Sequence, residues 1–431
     1  METDRQAAGH RQGRLFEELR QAPANPTPLA RDLLAFRRFG RKTAYATTVA
    51  RSGDRNIVAD TYINEFWTSA QRAAHRLHEI SYRACFKPQI PAFFIDRLTR
   101  AGELVYDPFM GRGTTPLEAA LRGRIPAGND ANPLSAMLLR PRLMPPEPDL
   151  VEARLAELDL RWEKEIREDL LVFYHEDTLR QITALKAWFE RRESEDRFDD
   201  VDDWIRMVAT NRLTGHSPGF FSVYTLPPNQ ATSVQAQRRI NERRKQVPPA
   251  RDVKKLILKK TASLLGGTTA AERAGLRALG AKARICCGPA ECTPRIEDGS
   301  VALVVTSPPF LDVVQYETDN WLRTWFCGIE SEGVRITMAR TVEAWADAMG
   351  PVFAELHRVV RRGGYVAFEV GEVRRRSVRL EEVVIPVALR EGFRPELVLI
   401  NDQRFTKTAN CWGIDNNQKG TNTNRVVLLR R

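Results

Sequence analysis

The sequence predicts an α/β fold: a largely parallel sheet with helices on both faces, interrupted by a mainly helical insertion. Three observations carry this reading. Val301 to Val305 is an unbroken apolar run, as expected of a strand buried on both faces of a parallel sheet. "ELVYDPFMGRGTT" (103–115) passes from a short apolar run through a glycine loop into a helical pattern. Between about residues 146 and 280, after the proline-rich break "PRLMPPEPD", long helical patterns replace the strand patterns.

In chain order, residues 1–60 read as a basic, weakly patterned arm broken by "ANPTP" and "RSGDRN". Residues 61–145 form the first part of the α/β domain, and 146–280 the basic helical insertion. Residues 281–431 form the second part, with strand patterns at "KARICCG", "VALVVTS", "GGYVAFEVG", "PELVLIND" and "NRVVLLRR". A chain of 431 residues, 42% hydrophobic and 28% charged, can bury a large core in two domains.

The net charge of +11 favours a polyanionic partner and by itself leaves DNA, RNA and an acidic membrane open. No apolar run approaches the roughly 20 residues that span a bilayer. The first residues, "METDRQAAGHRQGRLFEELRQ", lack the apolar core of a signal peptide, so a cytoplasmic protein without membrane contact is expected. The cysteines Cys85, Cys286, Cys287, Cys292, Cys327 and Cys411 are scattered without a C-x-x-C pair and read as buried thiols. Cys286, Cys287 and Cys292 have the wrong spacing for zinc and no nearby histidine, so no metal site is expected.

Two stretches carry chemistry. Val301–Val305 runs into Ser307-Pro308-Pro309-Phe310, and prolines cannot donate to a ladder, so they lie beyond the strand's carboxyl end. In open α/β sheets ligands sit at that end. In "DPFMGRGTT", Gly111 and Gly113 let the backbone approach a ligand, while Asp107 at the strand end offers an acceptor for an ammonium group. Asp130 ends the next strand 23 residues on (130 − 107), near the offset of about 20 at which a carboxylate grips ribose hydroxyls. "GRGTT" has no Gly-Lys-Ser/Thr, which disfavours a P-loop.

Together, "DPFMGRGTT" and "TSPPF" resemble the DNA amino-methyltransferases, whose motifs are a D-P-F-x-G-x-G-T-T cofactor loop and an S/D/N-P-P-Y/F/W tetrad. Residues 80–140 and 300–375 carry the resemblance closely, the middle far less. The resemblance implies a Rossmann-like class I methyltransferase sheet with S-adenosyl-L-methionine as cofactor. The loop Asp107, Pro108, Phe109, Gly111, Gly113 and Thr114 would bind the cofactor's methionine end, and Asp130 its ribose. Phe86-Lys87-Pro88-Gln89 resembles the family's further cofactor motif. Two departures stand out: Cys287-Gly-Pro-Ala290 replaces an acidic third-strand motif, and the tetrad ends in Phe310 rather than tyrosine.

An exocyclic amine is a poor nucleophile because its lone pair is delocalised into the ring. Ser307 Oγ and the Pro308 carbonyl would accept from its N–H groups and favour tetrahedral nitrogen for direct displacement. Pro308 and Pro309 would stiffen the backbone and Phe310 would stack on the base, which must be flipped out of the duplex. In the family Ser-Pro-Pro goes mostly with N4 of cytosine, so a site-specific N4-cytosine methyltransferase of a restriction-modification system is expected, with double-stranded DNA as substrate and a cognate restriction endonuclease as possible partner. N6-adenine methylation is the alternative, ahead of an RNA guanine-N2 methyltransferase or an inactive DNA-binding subunit.

The insertion would be the target-recognition domain. Arg238, Arg239, Arg243, Arg244, Lys245, Arg251, Lys254, Lys255, Lys259 and Lys260 face only Glu242 and Asp252, which suits phosphate contacts or a solvated helix face. "GHSPGFFSVYTLPPNQ" (215–230) beside it either enters DNA or packs. Tyr316 would line the base pocket or pack, and Glu369 face the site or cap a strand. Trp325 reads as core, and His75 and His78 as structural.

Overall fold

The computed structural model describes residues 19–68, 74–83, 85–226, 232–309, 316–330, 339, 341–370, 372–373, 378–402 and 423–431. Helix α1 (Pro28–Ala35) and strands β1 (Ala44–Ser52) and β2 (Arg55–Asn64) come first. Then come α2 (Gln89–Leu98), β3 (Leu104–Asp107), α3 (Thr114–Leu121), β4 (Ile125–Asp130) and α4 (Pro133–Leu143). The helical stretch contains α5 (Pro148–Glu157), α6 (Glu176–Ser194), α7 (Asp200–Thr210), α8 (Val234–Arg244), α9 (Val253–Leu265) and α10 (Ala270–Gly280). The chain returns to the sheet with β5 (Arg284–Cys287) and β6 (Val301–Thr306), then α11 (Tyr316–Cys327), α12 (Val342–Val359) and β7 (Val360–Val370). A two-stranded ribbon, β8 (Glu372–Val373) with β9 (Val378–Arg379), precedes α13 (Leu380–Arg390), β10 (Arg394–Asp402) and β11 (Thr423–Arg430).

The main sheet runs β1-β2-β10-β11-β7-β6-β3-β4-β5. From β5 to β7 every pairing is parallel, and β11 lies antiparallel between β7 and β10. Five parallel strands in the order third-second-first-fourth-fifth make a Rossmann-like α/β sheet. Its topological switch lies between β3 and β6, because the chain leaves β3 toward β4 and returns on β3's other side.

Both faces of β6 are buried, with side chains alternating as strand geometry demands. Leu303 and Val305 pack with Phe93, Phe94 and Ile95 of α2, and Val304 packs with Phe353 and Leu356 of α12. The helical stretch builds no core apart from the sheet. Leu179, Trp204 and Ile257 share one apolar cluster with Leu134, Leu138 and Leu139 of α4 and with Leu322 and Phe326 of α11. Residues 146–280 are thus an insertion by sequence that packs as part of the α/β body.

The first 60 residues are not simply an arm. Residues 44–64 form an antiparallel hairpin whose β2 pairs in parallel with β10, extending the sheet by two strands. "RSGDRN", rather than breaking structure, holds the hairpin's turn, where Gly53 takes φ +58°. Asn401 fixes the chain after the hairpin by accepting from the Phe66 and Trp67 amides at 2.6 and 3.1 Å. Residues 1–18 lie outside the described residues. Among the described residues no helix is long and apolar enough to cross a membrane, and no group of His, Cys, Asp and Glu could hold a metal.

Candidate active site

The switch point brings the two motifs together. Asp107 ends β3 and Thr306 ends β6, and the Thr306 hydroxyl donates to Asp107 Oδ1 at 2.7 Å. The Phe109 amide donates to the same oxygen at 3.0 Å. Asp107 is 1% exposed and its Oδ2 has no partner among the described residues. Burial pushes its carboxyl up to about 7, against the pull of the Thr306 and Phe109 hydrogen bonds. A buried carboxylate oxygen without a partner at the carboxyl end of β3 is an acceptor that a cation would satisfy.

The glycine loop between β3 and α3 is fixed from several sides. Gly111 takes φ +51° and donates its amide to Asp130 Oδ2 at 2.8 Å, while Asp130 Oδ1 accepts from the Asn132 amide at 2.9 Å. Burial raises the Asp130 carboxyl, and these two amides hold it down. Asp130 therefore pins the loop to β4 as well as facing the crevice. A carboxylate has about four acceptor positions, so two amides and the nearby Ser135 hydroxyl leave it one. Gly113 takes φ +78°, and a Cβ there would lie 2.7 Å from Leu139 Cδ1 of α4, so close packing and backbone both require glycine. Thr114 opens α3 buried, its hydroxyl accepting from Arg112 at 3.3 Å. Thr115 donates to the Val305 carbonyl at 2.9 Å, tying α3 to β6.

Several supports escaped the sequence reading. Asn129, buried in β4, accepts through its carbonyl from Met110 at 2.9 Å and donates through its side chain to Gly288 at 2.9 Å, joining the ends of β3, β4 and β5. Arg142 of α4 is fully buried and donates to the carbonyls of Leu138 at 2.8 Å, Leu77 at 3.3 Å and Arg112. Arg112 itself donates to the carbonyls of His78 and Ile80 at 3.2 and 2.8 Å, binding the 77–82 segment to the loop. None of these had a signal in residue pattern, because each contact joins positions distant in sequence or runs to a backbone carbonyl.

Phe86, Lys87 and Pro88 lie just before α2, with Pro88 at its start and Phe86 packed against the core beneath. Partial burial holds the Lys87 ammonium below its ordinary value. The same segment covers the loop through Tyr82 and Cys85, whose atoms lie 3.6 and 3.7 Å from where a Gly111 Cβ would stand. His78 is structural: it pairs with Glu118 at 2.7 Å and is pulled down to about 4 by burial.

Ser307 and Pro309 are partly exposed at the crevice and Pro308 is buried. The Trp345 indole of α12 donates to the Pro309 carbonyl at 3.0 Å, fixing the turn's direction. Glu369, near the end of β7, interacts with the Ser307 hydroxyl and accepts from Asn424 at 2.7 Å. Burial raises its carboxyl, and those two hydrogen bonds oppose the rise. Glu369 thus faces the site. Phe310 lies outside the described residues, as do the side chain of Tyr316 and Cys411.

The basic stretch divides. Arg238, Arg239, Arg243, Arg244 and Lys245, on α8 and its C-cap, are exposed, and none forms an ion pair among the described residues. On α9, Lys255 and Lys259 are exposed, but Lys254 donates to the Leu158 carbonyl and Lys260 pairs with Glu79 at 3.4 Å. Arg251 is half-buried before α9. In the 215–226 loop, Phe220 and Phe221 are buried and pack, whereas Tyr224 and Leu226 face out.

No family model matches the chain. The chain is 31% identical over 148 residues to the Type II methyltransferase M.MvaI of Kocuria varians, covering 34% of this chain and 29% of that one. It is 29% identical over 97 residues to the Type II methyltransferase M.MjaII of Methanocaldococcus jannaschii, covering 22% and 16%. The chain thus matches less than a third of either relative's length. Solved structures aligned to it include a TehB-like SAM-dependent methyltransferase of Corynebacterium glutamicum, at 10% identity and TM-score 0.29, covering 79% of this chain and 86% of that one. The rRNA methyltransferase aviRa of Streptomyces viridochromogenes aligns at 14% identity and TM-score 0.32, covering 85% and 94%. Such low scores leave the fold assignment resting on the strand order itself. Over about a third of its length, the chain is related in sequence to a Type II methyltransferase, M.MvaI.

Proposed function

We propose that the chain is a site-specific DNA methyltransferase that uses S-adenosylmethionine to methylate the exocyclic N4 of cytosine in double-stranded DNA. The observation that carries the reading is the 2.7 Å bond from Thr306 to Asp107, which sets Ser307-Pro308-Pro309 beside the glycine loop at the switch of the sheet. The residues present fit the cofactor. The open Asp107 Oδ2 suits its ammonium group, the Gly111–Gly113 backbone permits close approach, and Asp130 has spare acceptor capacity for its ribose. Bound there, the cofactor supplies an electrophilic methyl group.

The chain's own residues would prepare the amine. Ser307 Oγ accepts one N–H and the Pro308 carbonyl the other, drawing the nitrogen lone pair out of the ring. Glu369 accepts a hydrogen bond from the Ser307 hydroxyl, which would turn the Oγ lone pairs toward the amine. Trp345 occupies the Pro309 carbonyl, so the turn presents its acceptors in one direction. The target base must leave the helix to reach this crevice. The exposed cations of α8 would hold the duplex by its phosphates, and a restriction endonuclease acting at the same site is the partner this reading would imply.

Mass spectrometry of nucleosides tests this, using DNA from a methylation-free host that expresses the protein or its Ser307→Ala/Pro308→Ala variant. N4-methylcytosine present with the wild type and absent with the variant is expected. N6-methyladenine would keep the site and overturn the base assignment. An unmodified genome would overturn the DNA reading and turn attention to RNA or to an inactive DNA-binding subunit.

A further inference from the structure

We propose that the turn between α8 and α9, together with Tyr224 and Leu226, is an apolar wedge that enters duplex DNA and unstacks a base step beside the target. This rests on the DNA reading above and gives it a physical device. Single exposed hydrophobics are ordinary on protein surfaces. Here three fall on two adjoining segments: Val247 is 82% exposed and follows Gln246, whose side chain bonds the Tyr224 carbonyl, while Tyr224 is 36% and Leu226 39% exposed.

They are held on a rigid mount. Gln246 and Gln237 both donate to the Tyr224 carbonyl, at 2.9 and 3.0 Å, and both donate to Asn241 Oδ1, at 2.8 and 2.7 Å. Lys245 closes α8 in the left-handed region at φ +49°, which turns the chain sharply, and Pro248 and Pro249 stiffen the backbone just past Val247. The mount is ringed by charge. The Arg244 guanidinium lies 3.8 Å from the Tyr224 ring centroid, and Arg243 and Lys245 are exposed without an ion pair among the described residues.

Free cations around a fixed apolar tip match a duplex, whose phosphates flank a groove with stackable bases at its floor. The mount is linked through packing to α11. Asn241 donates to the Val172 carbonyl at 2.7 Å, and the ring of Phe173 lies 6.1 Å from Trp321 on α11, the helix next in the chain after the tetrad. A wedge there would lower the cost of taking the neighbouring base out of the stack.

The test needs no knowledge of the recognition sequence. Closed circular plasmid from a methylation-free host is relaxed by a topoisomerase with the full-length protein bound, and its linking number is read on a gel. Wild-type protein is expected to bind and to leave the plasmid underwound. Leu226→Ser/Val247→Ser should bind with an unchanged salt slope, since no charge is removed, and lose most of the shift. Val247→Leu should keep it, and so should Ser307→Ala/Pro308→Ala. Loss of the shift in that last variant would assign the unwinding to the base pocket and overturn the wedge. Wild-type binding without a shift, or a shift undiminished in Leu226→Ser/Val247→Ser, would overturn the wedge and leave the DNA reading standing. Failure of the wild type to bind plasmid would overturn the DNA reading and the wedge with it.

Discussion

The glycine loop and the α8–α9 surface use the same side chains in opposite ways. At the loop Arg142 is buried and gives its N–H groups to three backbone carbonyls, Arg112 gives to two more, and Asp130 accepts two backbone amides. Among the described residues, Asp107 Oδ2 is the carboxylate oxygen of the loop left without a partner. On α8 the arginines lie in solvent with no ion pair among the described residues. A small ligand has to find its acceptors at fixed positions, so the polar groups around it are consumed in holding the backbone. A polyanion is gripped by charge that the protein has not already neutralised. The same residue type is structural in one place and available in the other.

Arg142→Met should expose the difference most sharply. It removes the side-chain donor from three carbonyls, of which Leu138 keeps its helix bond, and each of the other two costs about 1–3 kcal/mol when desolvated and unpaired. We expect a loss of about 3 kcal/mol or more in urea unfolding and weakened cofactor binding by calorimetry. A loss within the scatter of surface substitutions would mean that water replaces the guanidinium and that the loop is not held as described.

Gly113→Ala should come next, at about 2–3 kcal/mol, because its Cβ would meet Leu139 Cδ1 at 2.7 Å and the φ of +78° strains any L-residue. Gly111→Ala meets nothing nearer than 3.6 Å and should cost only the strain of its positive φ, about 1 kcal/mol. Measured as a pair in urea titrations, equal losses would show that α4 shifts to admit the extra methyl group.

How far the sequence spoke depends on how each contact is made. The loop and the tetrad were legible because glycine and proline report backbone constraints directly: Gly111 and Gly113 at positive φ, Pro308 and Pro309 beyond a strand that ends at Thr306. The β1–β2 hairpin was missed because its turn, Gly53-Asp54, looks the same as a linker until the flanking alternation of Tyr45, Thr47 and Val49 is paired with Val58, Asp60 and Tyr62. Arg142 and Asn129 were invisible for another reason. Their partners are main-chain groups, which have no letter in the sequence. The basic stretch read as one surface, yet Lys254 and Lys260 are bound to Leu158 and Glu79, residues that the fold alone brings near.

Asp107 offers a pH test of the loop's unpartnered carboxylate oxygen. Burial raises its carboxyl to about 7 in the folded protein, far above an unfolded aspartate near 3.9. The sign is that of a raised carboxyl: stability from the protonated form is complete below about pH 4 and is lost as pH rises through about 7. An ammonium ligand needs the charged form, so its binding opposes that trend. Affinity for a cofactor analogue such as sinefungin should climb roughly tenfold between about pH 5.5 and 7, then level once Asp107 is fully ionised above about pH 8. Asp107→Asn should bind weakly and without that climb. The same slope in wild type and variant would place the ammonium elsewhere.

The smallest effect on the fold is expected on the other side of the comparison, and it is the one that can break it. Arg243→Gln/Lys245→Gln removes two exposed cations that hold nothing together among the described residues, so the melting temperature should move by no more than about 1 °C. The effect should surface only when a polyanion is present. Each phosphate contact contributes about 0.9 to the slope of log affinity against log salt, so losing two should flatten the slope for duplex binding by roughly 1.8. A shallower slope at unchanged stability is the signature of charge kept for a partner. If instead the variant melts well below wild type and the slope stays put, these arginines and lysines are doing on the surface what Arg142 does in the interior, and the contrast between the two regions disappears.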